Sequence, residues 1–279
     1  MFFIREAIMQ IGQQRYNMSD GFYMDFEVPF YNSEELPVAT FKVNNLSQET
    51  RNHIEKGQLF ILNAGYENDV GMIFFGTISS AKCSKNGAEW ITEIIAATAL
   101  NEWLGAEVNK TYEAGTDAEN IVRDLLTLFG LEIGRFNLAN NCVYSRGKVC
   151  TGKLKDVLKN IVVKECESKM LIQNNQIIIS NTAGQIYSGI LLSPETGLLM
   201  DNEDNNETII AADEKETKVE KDEKGKTIKK KCLLNHNIRP GELIQIQSRK
   251  TNGVFKVESG THRGTTDGEW ITEIELSVV

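Results

Sequence analysis

The sequence predicts a mainly β, α+β chain, with two antiparallel β-barrel domains flanking a small α+β insert domain. Three observations carry this expectation. The hexapeptide Glu89-Trp90-Ile91-Thr92-Glu93-Ile94 returns unchanged as Glu269-Trp270-Ile271-Thr272-Glu273-Ile274, each copy preceded by a hairpin signal, Asn86-Gly87 or Asp267-Gly268. Between the copies the pattern turns helical. After about Tyr187 the β character returns, with Ile190-Leu191-Leu192 and Leu198-Leu199-Met200.

In an extended strand Trp90, Thr92 and Ile94 share one face, and Glu89, Ile91 and Glu93 share the other. That alternation places Trp90 and Trp270 alike in a core. The similarity reaches upstream, where Ile54-x-x-Gly57-x-Leu59-Phe60-Ile61 corresponds to Ile238-x-x-Gly241-x-Leu243-Ile244-Gln245-Ile246. The expected unit is strand, turn, strand, Asn/Asp-Gly turn, strand, present twice. Two copies favour a duplicated domain over a solenoid, which needs more repeats at a fixed period.

Taken in order, residues 1–105 read as the first β-barrel domain. Phe22, Met24, Phe26 and Val28 alternate with polar residues until Pro29, which is expected to stop the strand, and Val38–Val43 alternates again. Ser47–Lys56 reads as a short helix or a loop. Residues 106–185 form the insert. Thr116-x-x-Glu119 is a capping box, and Ile121, Val122, Leu125, Leu126, Leu128 and Phe129 follow a helical stripe that ends at Gly130. A second helix is expected from about Leu154 to Val162, followed by a hairpin from Lys169 to Ile179 turning at Asn174-Asn175. Residues 186–279 form the second β-barrel domain. It contains a charged loop at 201–231, with ten acids through Glu223, lysines crowded at its end and a plausible tip at Glu223–Lys226.

The totals exclude several classes. The chain has 279 residues, enough for about two domains. No apolar run approaches the roughly 18 residues of a membrane span, and the start lacks the pattern of a secretory signal. Cys83, Cys142, Cys150, Cys166 and Cys232 are odd in number and widely spaced, which fits reduced structural thiols rather than a zinc site or a disulfide framework. A net charge of −9 argues against gripping nucleic acid phosphates.

The residues that usually carry chemistry do not assemble into a pattern. His53, His236 and His262 are far apart, and no nucleophile elbow, Walker loop or dinucleotide-binding glycine fingerprint occurs. Glu89 with Glu93, and Glu269 with Glu273, are same-face acids that could in principle form a glycosidase pair. Their duplication instead favours a solvated or interfacial face. Cys150 lacks an evident His partner. No catalytic, cofactor-binding or metal-binding residue is therefore assigned, no cofactor is expected, and the chain reads as a non-enzyme.

Phe41-Lys42-Val43-Asn44-Asn45-Leu46, Gly71–Ile78, Gly115-Thr116-x-x-Glu119, Cys232-Leu233-Leu234-Asn235-x-x-Ile238-x-Pro240-Gly241 and Gly253–Val257 with His262 stand in this order. In this arrangement the chain resembles the baseplate hub proteins of contractile phage tails and phage-tail-like bacteriocins. It is similar also to the hub part of type VI secretion spike proteins. The resemblance implies that the two barrels are tail-tube-like. It implies a homotrimeric ring joining a hexameric tail tube to a trimeric spike, with tape-measure and baseplate wedge proteins as further contacts. DNA would then be only a passing cargo in the lumen, and the chain itself would bind no membrane. Its place would be the central axis of a virion or tail-like particle assembled in the bacterial cytoplasm. Hub proteins often carry further C-terminal modules, and here the chain is expected to end at the second barrel. Two other readings stay open: a tail-tip or distal-tail ring protein of a non-contractile phage, and a cell-wall hydrolase or carbohydrate-binding tail module. The missing acid/base set and the tryptophans expected to be buried speak against the last.

Overall fold

Alternating apolar residues build the N-terminal strands of the computed structural model, which describes residues 4–32, 37–98, 106–127, 132–173, 176–181, 186–199 and 227–279. β1 (Arg5–Ile11) buries Ala7, Met9 and Ile11 and is followed by β2 (Gln14–Asn17). β3 (Met24–Tyr31) turns Met24, Phe26, Val28 and Phe30 inward. It runs on through Pro29, where a stop was expected. Its ladder to β4 (Val38–Asn44) ends at Glu27, so on that edge no donor is required of Pro29. Ser47 caps the short α1 (Gln48–Asn52), its hydroxyl accepting from the Thr50 amide at 3.0 Å. Three strands follow: β5 (Leu59–Tyr66), β6 (Asp69–Asn86) and β7 (Glu89–Ala97).

The middle of the chain carries β8 (Glu107–Tyr112), β9 (Thr116–Asp117), α2 (Ala118–Thr127), β10 (Glu132–Phe136), β11 (Val143–Tyr144) and β12 (Lys148–Lys153). Then come α3 (Leu154–Lys159), extended by a π turn over Asn160–Glu165, and the hairpin of β13 (Ser168–Gln173) with β14 (Gln176–Asn181). Ile121, Val122, Leu125 and Leu126 of α2 pack with Leu154, Leu158, Ile161 and Val162 in one core. The expected Thr116–Glu119 capping box does not form. The Asp117 carboxylate accepts from the Asn120 amide at 2.8 Å, the Asn141 side chain takes the Glu119 amide, and Thr116 donates back to the Glu113 carbonyl. Leu128, Phe129, the Gly130 stop and the Asn174-Asn175 turn lie outside the described residues.

The last part comprises β15 (Ile186–Leu192), β16 (Leu198–Leu199), β17 (Thr227–Leu233), β18 (Glu242–Gln247), β19 (Asn252–Thr265) and β20 (Trp270–Val278). Of the expected charged loop, residues 201–226 lie outside the described residues, as does Met200 before it, while 227–231 belong to β17.

Mainly β, α+β character is observed, but the two antiparallel β-barrel domains are not. Among the described residues one thirteen-stranded sheet runs β16-β17-β20-β19-β3-β4-β7-β6-β5-β1-β2, with β18 joining β19 to β15, and it does not close. The reason is the seat of β3. Tyr31 to Asp25 pair antiparallel with Ser259 to Thr265 of β19, so the edge on which the N-terminal strands could close carries a strand of the other half. Trp270 and Leu234 accordingly belong to the core that holds Phe26, Phe41, Phe60 and Phe74. Phe30 in turn packs with Ile244, Val257, Ile274 and Leu276.

Candidate functional site

The hexapeptides occupy equivalent strands of two matching ladders. In the first, the strands pair in the order β4, β7, β6, β5; in the second, β17, β20, β19, β18. Trp90, Thr92 and Ile94 face Lys85, Cys83 and Ala81, as Trp270, Thr272 and Ile274 face Gly264, His262 and Gly260. Both hairpins slip register at the same place, between Ile78 and Ser80 and between Val257 and Ser259. Bulges of this kind bend a strand locally, so the two halves bend alike. Gly57 and Gly241, at φ 88° and 84°, enter the next strands in a conformation that disfavours a Cβ. Their amides donate to the matching carbonyls of Ile78 and Val257, both at 2.8 Å.

Where β3 crosses to β19 the two ladders are bolted together. The Trp270 indole N–H donates to the Gly65 carbonyl at 3.0 Å, and the Tyr66 hydroxyl donates to the Trp270 carbonyl at 3.4 Å. Phe26 meets the Trp270 ring edge-on at 5.2 Å, and the Arg5 guanidinium lies 5.8 Å from its centre. Gly260 and Gly264 admit the Phe30 and Phe26 rings, since a Cβ on either would come within 2.3 Å of a ring carbon. Arg263 bridges Glu27 at 2.9 Å and Glu273 at 3.2 Å, and Glu273 also holds Lys231 at 2.8 Å. The Glu273 carboxyl sits below its ordinary range, because of Lys231 first and Arg263 next. Beside this network a groove of about 390 Å³ is lined by Tyr31, Lys229, Lys231, Thr261, Glu273 and Glu275.

Trp90 departs from the expectation that both tryptophans are core residues. Trp270 is 2 % exposed and Trp90 is 40 % exposed. The strand and its phase are the same; what differs is the cover. Trp270 is enclosed by Phe26 of β3, Gly65 and Tyr66 of β5 and Arg5 of β1, whereas the Trp90 ring carries the Arg51 guanidinium of α1 at 4.2 Å. The matching pairs differ in the same sense, since Cys83 is exposed over Thr92 while His262 is buried against Thr272 at 2.9 Å.

The remaining residues weighed from the sequence do not assemble into a catalytic set. His53 contacts the Glu49 carbonyl, His236 lies 3.8 Å from Asp69, and His262 is sealed in the core with its ring held down to about 3 by burial, His236 adding to the effect. Glu89 accepts from the Asn44 side chain, and Glu93 stands in register with Lys42 and Lys82. Cys150 is buried and its thiol is pushed up by that burial, the opposite of an activated nucleophile. Among the described residues no His, Cys, Asp and Glu group is placed to hold a metal ion, and no helix is long and apolar enough to cross a membrane. Sequence reasoning missed Arg263 and the β3–β19 join. The Gly260/Gly264 spacing within a strand was the available hint of a close approach.

No protein-family model matches the chain, and no curated protein matches it by sequence. Solved structures do match. A 43 kDa tail protein of prophage MuSo2 from Shewanella oneidensis aligns at a TM-score of 0.65 and 9% identity over 97% of each chain. A tail protein from Neisseria meningitidis MC58 aligns at 0.66 and 8% identity, over 99% of this chain and 97% of that one. An E. coli component of the type VI secretion system, itself structurally similar to the T4 bacteriophage tail proteins gp27 and gp5, aligns at 0.58 and 12% identity over 96% and 74%. The chain therefore has the fold of phage tail proteins, which it shares with a component of the type VI secretion system.

Proposed function

We propose that the chain is a structural, non-enzymatic baseplate hub protein of a contractile phage tail or phage-tail-like particle. Three copies form a ring that adapts a hexameric tail tube to a trimeric spike. The observation that carries this reading is the repeated ladder, with matching hexapeptides, bulges and glycine entries. Three chains with two such ladders offer six similar surfaces, so a threefold ring can meet a sixfold neighbour. The fold likeness along nearly the whole chain supports the same class. A net charge of −9 suits a conduit that phosphate-bearing cargo passes without sticking. We further propose that residues 106–185 stand as a separate insert between units 1–105 and 186–279. Tube and spike are then the direct partners, tape-measure and wedge proteins are further contacts, and the place of the chain is the central axis of a particle assembled in the host cytoplasm.

The test is imaging of the intact particle by electron cryomicroscopy. Three copies around the axis, between tube and spike, are expected. Density for this chain away from the axis, or a copy number other than three, would overturn the proposal.

A further inference from the structure

Two of the free cysteines lie side by side in the middle of the chain. Cys142 stands just before β11, and Cys166 ends the π turn that extends α3. The Cys142 thiol donates to the Glu165 carbonyl at 3.2 Å, across 23 positions of sequence. In return the Cys142 amide meets the Cys166 sulfur, and the two thiols are in hydrogen-bonding contact. Each sulfur therefore rests on backbone belonging to the other, Cys142 on the peptide group that enters Cys166. Sulfurs crossed in this way meet the demand of a disulfide for close Cα atoms and converging Cβ vectors. The π turn contributes to the approach. Its last bond runs from the Cys166 amide to the Ile161 carbonyl at 2.9 Å, where an α turn would use Val162, and π turns of this kind recur at functional sites. The two thiols differ in access: Cys142 is half-buried and Cys166 is fully buried. Burial above all pushes the Cys166 thiol up to about 11, with the Cys142 thiol and the Glu165 charge adding to it. An oxidant therefore meets Cys142 first, and Cys166 is the group that resolves.

We propose that Cys142 and Cys166 form a disulfide under oxidising conditions, a covalent staple that the reduced chain holds ready. The oxidant is a low-molecular-weight disulfide such as oxidised glutathione. The Cys142 thiolate attacks one of its sulfurs, that S–S bond breaks, and the first glutathione leaves as a thiolate. The Cys166 thiolate then attacks the Cys142 sulfur of the mixed disulfide and expels the second glutathione. Two protein thiols lose two electrons to become one disulfide, and their protons end on the two glutathione thiols released. The bond ties more than the two residues. The Cys142 carbonyl accepts from the Ala118 amide at 2.8 Å, where α2 begins. The Cys166 carbonyl accepts from the Asn140 amide at 3.2 Å and from the Ser168 hydroxyl at 2.9 Å, and Ser168 accepts in turn from the Ala139 amide at 2.8 Å. The start of α2, the end of the π turn and the start of β13 are thereby fastened at one point. Both thiols pack with the core of α2 and α3, so the staple closes around that core rather than across a surface loop. Its effect is chiefly to restrict the unfolded chain. The inference stands apart from the proposed ring and does not depend on it.

The experiment uses the full chain with Cys83→Ser, so that the exposed thiol is silent, treated in its folded state with oxidised glutathione at mildly alkaline pH. Peptide mass spectrometry without reduction should show the 142–166 link as the main product, and dithiothreitol should reverse it. Thermolysin cleavage within residues 106–173 should slow tenfold or more on oxidation and recover on reduction. Adding Cys166→Ala should stop the reaction at a glutathione adduct on Cys142, and adding Cys142→Ala should leave Cys166 unmodified. The Cys83→Ser chain alone decides the matter should either of these variants fail to fold. Glutathione remaining on Cys142 of that chain, a preferred link to another cysteine, or a 142–166 link that forms only in urea would overturn the inference. A link that leaves the cleavage rate unchanged would overturn its role as a staple.

Discussion

Replacing Trp270 with alanine should cost several times more stability than the same change at Trp90, although the two sit in identical hexapeptides. Trp270 is 2 % exposed, donates to the Gly65 carbonyl, and is flanked by Phe26 and Arg5. Truncating a core aromatic costs about 3–5 kcal/mol, and orphaning the Gly65 carbonyl adds about 1 kcal/mol where water does not enter. Trp90 is 40 % exposed and loses chiefly its contact with Arg51. An exposed cation–π contact is worth about 0.5–1 kcal/mol, and its partial burial adds about 1 kcal/mol. The expected totals are thus about 4–6 against about 1.5–2 kcal/mol. Urea titration of both single variants reads this directly, provided the slopes agree so that midpoints report stability. Equal midpoint shifts would refute the claim that the cover over Trp270 makes the difference between the twins, and a larger loss at Trp90 would invert it.

Other outcomes follow from the same structure. Gly264→Ala should destabilise by about 1–3 kcal/mol, because the new Cβ meets the Phe26 and Trp270 rings; an unchanged urea midpoint would count against the packed join. His262 is neutral in the fold and held at about 3, below its unfolded value, so the unfolded chain binds the extra proton first. Stability from this residue is full above about pH 6.5 and falls as pH drops, by about 2 kcal/mol at pH 5. His262→Gln should flatten the stability profile between pH 7 and 5, and an unaltered slope would assign it to other groups. Thiol labelling of the native chain should modify Cys83 quickly and spare Cys150, Cys166 and Cys232, which are buried and whose thiols burial pushes up. Mass spectrometry of labelled peptides gives the order.

Local structure was legible where it depends on near neighbours in sequence. The alternation of Met24, Phe26 and Val28, the β6–β7 hairpin and the α2 stripe reappear as expected, although the hairpin turns at Gly87-Ala88, one residue later than the expected Asn86-Gly87 pair. The duplication was legible too, because Gly57 with Trp90 and Gly241 with Trp270 mark one ladder twice. Closure was not. Whether an edge strand folds back on its own sheet or crosses to another depends on residues far apart in sequence, as with Glu27 and Arg263, 236 positions apart. Neither residue signals the other. Trp90 was misjudged for the same reason: period two says which side of a strand a residue faces, not whether anything lies over that side. The cap moved from Thr116 to Asp117 because Asn141, distant in sequence, supplies one of the needed acceptors.

The seating of β3 against β19 also sets an order of events during synthesis. Strands β1 to β7 leave the ribosome early, yet one edge of β3 has no partner until residues 252–265 emerge. Trp270 then fills the N-terminal core, so that core stays unfinished through most of translation. Closing so long a loop is slow, and an incomplete sheet with an open edge is prone to pair with the wrong neighbour. A nascent chain stalled before β19 should therefore be cut readily by protease within residues 4–98, and release past β20 should protect the same stretch at once. Vectorial synthesis would thus deliver a late, all-or-none locking step, in which the last strands made complete the first ones.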